Sequence, residues 1–432
     1  MTELYRAHII DVPADPPGSG AGLRSLEDGA IAVEDGVIRA CDDYAALMQR
    51  YPQAQLHDWH GSILLPGLID IHVHFPQLPI IGSMGMPLLT WLSERTLPAE
   101  AALNSEQNAR PAARRFLRSL AANGTTTALV FGSHIAAAQR TFFEEAAASG
   151  LRICSGLSLG DRELPPPLLH NADQCYRSSR ALIDRWHHFN GMRYAVTPRF
   201  SVSCSEAILE VCGSLMRETE GVLFQTHINE NHDEVALVKR QFPWAEDYFA
   251  TYERYGLTGP GCVYAHNLHP TESECRRMAA AAVSIAHCPS SNAFLGSGSF
   301  AMQRHLDYQI PFAVASDVGG GTGFSLFKEG LAAYEMQRQR DDGVALDPAA
   351  LLHLITGAAA AILGIDDQVG SLDPGKQADF VIVNPPADGT LAAVIEAAST
   401  PAQKLGALFT LAREECTALT CVGGREVYRR AT

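Results

Sequence analysis

The sequence predicts an α/β protein whose central domain is a closed (β/α)₈ barrel of the TIM type. Three observations carry that expectation. Eight short apolar runs recur between residues 63 and 318. Most are separated by segments of helical composition. Several end on histidine or aspartate, where a barrel places reactive groups at the C-terminal ends of its strands.

In chain order the runs are ILLPGLIDIHVH (63–74), TTTALVF (125–131), LRICSGL (151–157), RYAVTPRF (193–200), GVLFQTHI (221–228), GCVYAHN (261–267), AVSIAHCP (282–289) and PFAVASDV (311–318). Between them, NARPAARRFLRSLAANG (108–124) and AAQRTFFEEAAASG (137–150) read as helices, and Gly150 is an ordinary helix stop. An open doubly wound sheet is the other arrangement of such elements. It fits less well, because no Gly-rich phosphate loop follows the first strand. The long aromatic stretch 229–260, with QFPWAEDYFATYERYG, reads as an active-site cover plus a helix. The two ends differ from the middle. IAVEDGVIRA (31–40) is a hairpin around Asp35-Gly36, and LTCVGGREVYR (419–429) is one around Gly423-Gly424. VGSLDPGKQADFVIVN (369–384) is a turn followed by a strand.

Composition narrows the function classes. With 432 residues, 47% hydrophobic and 19% charged, the chain is globular and long enough for more than one domain. A net charge of -15 makes nucleic-acid phosphates and anionic lipid poor partners, though it leaves a single nucleobase open as a small substrate. The first twenty residues lack a basic region followed by an apolar run, so no export signal is expected. No apolar run is long enough to span a bilayer. Ten scattered cysteines form no C-x-x-C pair, which argues against a cysteine zinc site and for buried reduced thiols in a cytoplasmic protein.

The chemistry concentrates at the run ends. The first ends in His72-x-His74, the fifth in His227, the sixth in His266 and the eighth in Asp317. Residues two apart on a strand face the same side, so His72 and His74 can share one metal ion. A single inward histidine is ordinarily a hydrogen-bonded core residue. Four strand ends carrying imidazole or carboxylate in one barrel predict a metal centre suited to zinc or iron. Glu230 follows His227 in THINEN. Alone it would be a solvated loop residue; beside a metal-activated water it becomes a proton shuttle. Gln77 offers a donor and an acceptor and Arg199 a fork of donors, although from the residues alone a strand-end amide and a surface ion pair explain them better. The glycines after Asp317 permit tight turns but lack a phosphate-loop lysine.

With these residues in hand, the chain resembles the amidohydrolase superfamily over essentially its whole length. The pieces are PGLIDIHVHFPQ (66–77), PRFSVSC (198–204), THINEN (226–231), YAHNLHPTESE (264–274), HCPSSNAFLGSGSF (287–300) and ASDVGGGTGFSLF (315–327). The FPQ, RFS and CPSSN…LGSG pieces narrow the resemblance to the guanine-deaminating branch. The resemblance implies one zinc ion per chain, with iron as a possible substitute, held by His72, His74, His227 and Asp317. It implies that His266 contacts the metal or its water, and that Glu230, Asp317 and His266 are catalytic. Gln77, Arg199 and Phe200 would hold the purine, with His74, His227, Glu230 and Asp317 also touching it. The implied reaction is the hydrolysis of guanine to xanthine and ammonia in purine catabolism. The alternative is a related amidohydrolase acting on another amino- or chloro-substituted heterocycle, such as 8-oxoguanine, a pterin or a triazine, and a barrel that had lost catalysis would be expected to lack the ligands present here. The resemblance further implies a homodimer. It also implies a small β-sandwich made from residues 1–65 and 369–432, flanking a barrel domain at 66–368. Two stretches depart from the branch: GTGFSLF after Asp317, and SGLSLGDRELPP, which retains Asp161 and Arg162.

Overall fold

Each apolar run forms a strand in the computed structural model, which describes residues 1–13 and 22–431. Residues 14–20 of the stretch read for an export signal therefore lie outside the described residues. The strands are β1 (Leu68–His74), β2 (Thr125–Phe131), β3 (Arg152–Gly156), β4 (Arg193–Pro198), β5 (Leu223–Ile228), β6 (Cys262–His266), β7 (Ser284–His287) and β8 (Phe312–Val314). Among the described residues they follow one another in sheet order, with Ser158–Leu159 paired beside β4. The pairings across β4 to β8 are parallel. Backbone bonds from the segment just after β8 reach β1 and nearly close the ring. The Asp317 N–H donates to His72 O at 2.8 Å, and the His74 N–H donates to Val318 O at 2.9 Å. Register then sets the site: Ile228 lies opposite His266, and His227 opposite Ala265. The strands are buried on both faces because helices and barrel interior enclose them.

The helices read from composition form at Glu106–Ala122 and Ala136–Ser149. The second ends on Gly150 with φ of 79°, a left-handed cap that suits glycine. Gly156, at the end of β3, has a different reason. A Cβ there would lie 1.7 Å from the Ala195 carbonyl oxygen of β4. We expect Gly156→Ala to destabilise the protein by about 3 kcal/mol, the upper end of overpacking costs. A thermal melt checks this, and an unchanged midpoint would contradict it.

The chain ends meet in one sheet. Among the described residues its order is Arg425–Arg429, Thr417–Val422, Phe380–Val383, Gln55–Pro66, Glu3–Asp11, Arg24–Glu34, Val37–Asp43. Both expected hairpins are present. Alternation places Tyr5, Ile31, Val33, Phe380, Ile382 and Leu419 in one core. It places Leu4, Ala30, Ala32 and Leu47 in another, on helix Tyr44–Arg50 and its neighbours.

Two details differ from the sequence reading, and a third concerns how contacts group the chain. The eighth strand stops at Val314, so Asp317 sits in the following loop with φ of 47°. The stretch 229–260 is not the pocket cover. It forms helices His232–Gln241 and Tyr248–Glu253, whose aromatic residues Tyr248, Phe249 and Tyr252 are buried. Tyr252 accepts from the Ser201 N–H at 3.0 Å and donates to His227 O at 3.0 Å. The stretch thus braces the ends of β4 and β5. Finally, contacts divide the chain into Met1–Asp70, Arg118–Thr127 and Phe324–Thr432 on one side, and Ile71–Leu117 and Ala128–Gly323 on the other. Helices Leu326–Arg338 and Pro348–Leu354 join the first of these units by packing on the late helix Pro401–Leu411.

Candidate active site

Strand alternation delivers the first pair of ligands. In β1, Ile71 and Val73 face one way and His72 and His74 the other, and the imidazole Nε2 atoms lie 3.3 Å apart. His227, on β5, brings its Nε2 to 3.3 Å from that of His74. Asp317 Oδ1 lies 3.3 Å from His72 Nε2 and 3.1 Å from His74 Nε2. These four ligand atoms all lie within 4.8 Å of one another, and the four residues are buried. Zinc bonds of 2.0–2.1 Å to a tetrahedral set space neighbouring ligand atoms about 3.3 Å apart. The donor set therefore fits a divalent cation.

Protonation agrees. The Nδ1 of His227 lies 2.6 Å from Arg199 O, so the ring donates from Nδ1 and turns an Nε2 lone pair inward. Burial lowers the His227 pKa well below its usual range, and the neighbouring His72 and His74 lower it further. Burial also lowers His74, to about 4. Burial alone would raise Asp317, but the adjoining His72 and His74 imidazoles outweigh it and hold the carboxyl well below normal. Neutral imidazoles beside an ionised carboxylate are the forms that metal ligation requires.

His266 completes the floor of the site. Its Nε2 lies 3.8 Å from Asp317 Oδ2 and 3.5 Å from Glu230 Oε2. Its Nδ1 lies 2.9 Å from Asn292 Oδ1. Asn292 thus accepts the Nδ1 proton and leaves the Nε2 lone pair facing the site. Asn292→Ala is expected to reduce kcat by roughly 10- to 100-fold, the usual cost of removing a group that orients a metal-site histidine. Steady-state kinetics checks this, and wild-type kcat would contradict it.

Glu230 is held from behind. Asn231 caps helix His232–Gln241 with Glu234 in a reciprocal capping box, the N-x-x-E pattern visible in NENHDE. Glu234 accepts from the Glu230 N–H at 2.9 Å and from the Tyr248 hydroxyl at 2.7 Å. Ser297 Oγ donates to Glu230 Oε1 at 3.3 Å. Burial, then the nearby Asp317 carboxylate, raise the Glu230 pKa above the ordinary glutamate range.

These residues share one pocket of about 340 Å³ with Gln77, Arg199 and Phe200. Gln77 follows β1 in the short helix Phe75–Ile80, which Pro76 opens. All nine residues singled out from the sequence are therefore near one another, with His72 in the ligand cluster beneath the pocket lining. Asp161 and Arg162 serve elsewhere: Asp161 accepts from the Ser205 N–H at 2.8 Å at the start of helix Glu206–Glu218, and Arg162 donates to Ser201 O.

Several pocket residues carry no sequence signal of comparable strength. Leu88, Trp91 and Leu295 form the apolar wall, packed with Ile80, Met86 and Phe294. The cover thus comes from the segment after FPQ, where MPLLTWL is the visible apolar cue. Glu100, buried beside Arg199 and Gln77, has no motif around it.

A barrel with a three-histidine, one-aspartate centre at its strand ends defines a class of metal-dependent hydrolases. The chain belongs to the amidohydrolase family, whose profile, described as "Amidohydrolase family", matches residues 63–427. Among its relatives, a probable guanine deaminase of Deinococcus radiodurans is 48% identical, over 99% of both chains. The guanine deaminase of Escherichia coli is 34% identical, over 99% of this chain and 98% of that one. Among solved structures, the E. coli guanine deaminase matches 99% of this chain and all of that one, with a TM-score of 0.96 and 33% identity. A guanine deaminase from C. acetobutylicum with guanine bound in its active site matches 99% of this chain and all of that one, at a TM-score of 0.90 and 25% identity.

Proposed function

We propose that this chain hydrolyses guanine to xanthine and ammonia. The observation that carries the reading is the shape of one buried pocket. Three imidazoles and a carboxylate converge on one side of it, Glu230 lies beside them, and Gln77, Arg199 and Phe200 face them. A divalent ion held by His72, His74, His227 and Asp317 would supply a water acidified to a pKa near ~7. We take that ion to be one zinc per chain; the same ligands suit iron.

The protein's own groups then do the following. Arg199 and Gln77 hydrogen-bond the polar edges of the purine, and Phe200 packs on its ring. His74, His227 and Asp317 border the reacting carbon. Glu230, with Asp317 opposite, accepts the proton of the attacking water and returns one to a ring nitrogen. Its raised pKa matches a group that must both take and give a proton near neutrality. His266, locked by Asn292, presents an Nε2 lone pair that can receive a proton as the attacking oxygen turns. The carbon–nitrogen bond to the exocyclic amine breaks, and ammonia leaves with the second proton of the attacking water, while the first stays on the ring nitrogen.

Incubating metal-replete protein with guanine tests the reading. Xanthine and ammonia in equal amounts are expected, and neither product would sink it. A panel including 8-oxoguanine, a pterin and a triazine separates guanine from the nearby substrates. We further propose a homodimer in the cytoplasm that works in purine catabolism. The similarity to bacterial guanine deaminases motivates the purine-catabolic part of this proposal. Among the described residues no helix is long and apolar enough to cross a membrane.

A further inference from the structure

Glu100 has no part in the chemistry above, yet it is 1% exposed on helix Leu97–Ala101, beside the pocket residues Arg199 and Gln77. Arg199 Nη1 donates to both its oxygens, at 2.7 and 2.9 Å. Gln77 Nε2 donates to Oε1 at 3.1 Å. The other end of that amide is also held, since Gln77 Oε1 accepts from the Gly319 N–H at 3.2 Å. His134 Nε2 stands 3.4 Å from Glu100 Oε2. Burial opposes ionisation of Glu100, but Arg199 and then His134 outweigh it and keep the carboxyl below its ordinary range.

Two consequences follow for a ligand. The first is orientation. A free glutamine can flip and exchange donor for acceptor, whereas this one is tied at both ends. Arg199 likewise spends Nη1 on Glu100, which fixes the plane in which its remaining donors point. The second is charge. A buried guanidinium facing a pocket would attract anions strongly at low dielectric. Paired with a buried carboxylate, it offers directed donors with little net charge.

We infer that Glu100 is a positioning residue that sets Arg199 and Gln77 for a neutral oxopurine and, by cancelling the charge of Arg199, disfavours anionic ones. The inference rests on the guanine reading above.

The test uses metal-loaded wild type, Glu100→Gln and Glu100→Asp. Thermal melts establish folding, guanine kinetics give KM and kcat, and calorimetry measures binding of urate, a monoanionic oxopurine. Glu100→Gln is expected to raise KM for guanine roughly tenfold or more while kcat changes less than about threefold, the pattern of lost uniform binding. The same variant should bind urate roughly tenfold more tightly than wild type, because Arg199 is then uncompensated. Glu100→Asp keeps the charge and shortens the reach, so it should bind urate as wild type does and show an intermediate KM. Folded variants with wild-type KM and wild-type urate affinity would overturn the inference, as would a fall in kcat at unchanged KM.

Losing one partner of a buried pair can unfold a protein. If Glu100→Gln fails to fold, Glu100→Asp decides alone: a raised KM at wild-type kcat supports the role, and an unchanged KM overturns it. If neither folds, Glu100 belongs to the fold and the inference fails. Should wild type not turn over guanine, the functional reading falls, while the urate comparison between wild type and the variants still decides the charge role.

Discussion

Replacing Glu230 by Gln is expected to lower kcat for guanine by about 10³-fold, within the range a positioned proton-transfer group contributes, while metal content and fold remain. The substitution is nearly isosteric. The Ser297 hydroxyl can still donate to the amide oxygen, and the Glu230 N–H stays tied to Glu234. Glu230 stands 3.5 Å from His266 but is not among the four clustered ligand atoms, so ligation should survive. What disappears is the capacity to exchange a proton. A carboxyl raised by burial and by Asp317 can hold a proton and release it; an amide cannot. The check is single-turnover conversion of guanine together with zinc quantification on the same sample. Full activity would remove Glu230 from the reaction. Lost zinc would make it a ligand instead.

The sequence showed most of this arrangement for a physical reason. Period-two alternation in GLIDIHVH obliges His72 and His74 to share a face, and barrel geometry sends strand-end residues to one mouth. Those rules act over a few residues, so they can be read locally. Asp317 shows where they stop. The reading placed it on a strand, whereas the strand ends at Val314 and the aspartate reaches the histidines from a loop. Its backbone bond to His72 O, which fixes that loop, joins residues far apart in the chain. Glu100 is legible by no local rule. Its partners Gln77, Arg199 and His134 come from separate segments, and a buried carboxylate looks like a solvated one until the guanidinium beside it is known. The stretch 229–260 misled in the opposite direction. Its aromatic residues suggest a cover, but Tyr248 and Tyr252 use their hydroxyls on Glu234 and on the ends of β4 and β5.

Backbone conformation at the strand ends points the same way. Asn229, His266, Asn267 and Asp317 all take positive φ, between 47° and 72°. For non-glycine residues such conformations cost on the order of 1–3 kcal/mol each, and they persist where surrounding contacts impose them. Here the contacts are visible. Asn229 Nδ2 donates to Asn267 Oδ1 and to Glu274, Asn267 is bonded to His305, and the Asn267 N–H donates to Ile228 O. A buried polar network outside the pocket thus aims His266 and the loop carrying Glu230. No sequence motif announces the network, although YAHNLHPTESE and THINEN contain three of its members.

The second large effect expected is from Asp317→Asn. The variant should lose tight zinc binding and reduce kcat/KM by about 10⁴-fold, as expected when a metal that generates the nucleophile is lost. The argument is electrostatic. Three neutral imidazoles converge with one carboxylate, which brings the sole negative charge among the four ligands. Its Oδ1 lies within 3.3 Å of both His72 and His74, so an amide there would also place either an oxygen without charge or an N–H donor among ring nitrogens needed as lone pairs. Stability gives an independent readout. Zinc at about 1,000 times its Kd would stabilise wild type by ~4 kcal/mol, and that gain should vanish in the variant. Thermal melts with and without zinc, at matched chelator, measure it without reference to turnover. If Asp317→Asn keeps the zinc-dependent shift but loses activity, the carboxylate acts as a proton acceptor and the three histidines hold the metal. If both persist, the carboxylate is dispensable and the electrostatic argument fails, because Asp317 belongs to both convergent groups, the one with His72, His74 and His227 and the one with His72, His266 and Cys288.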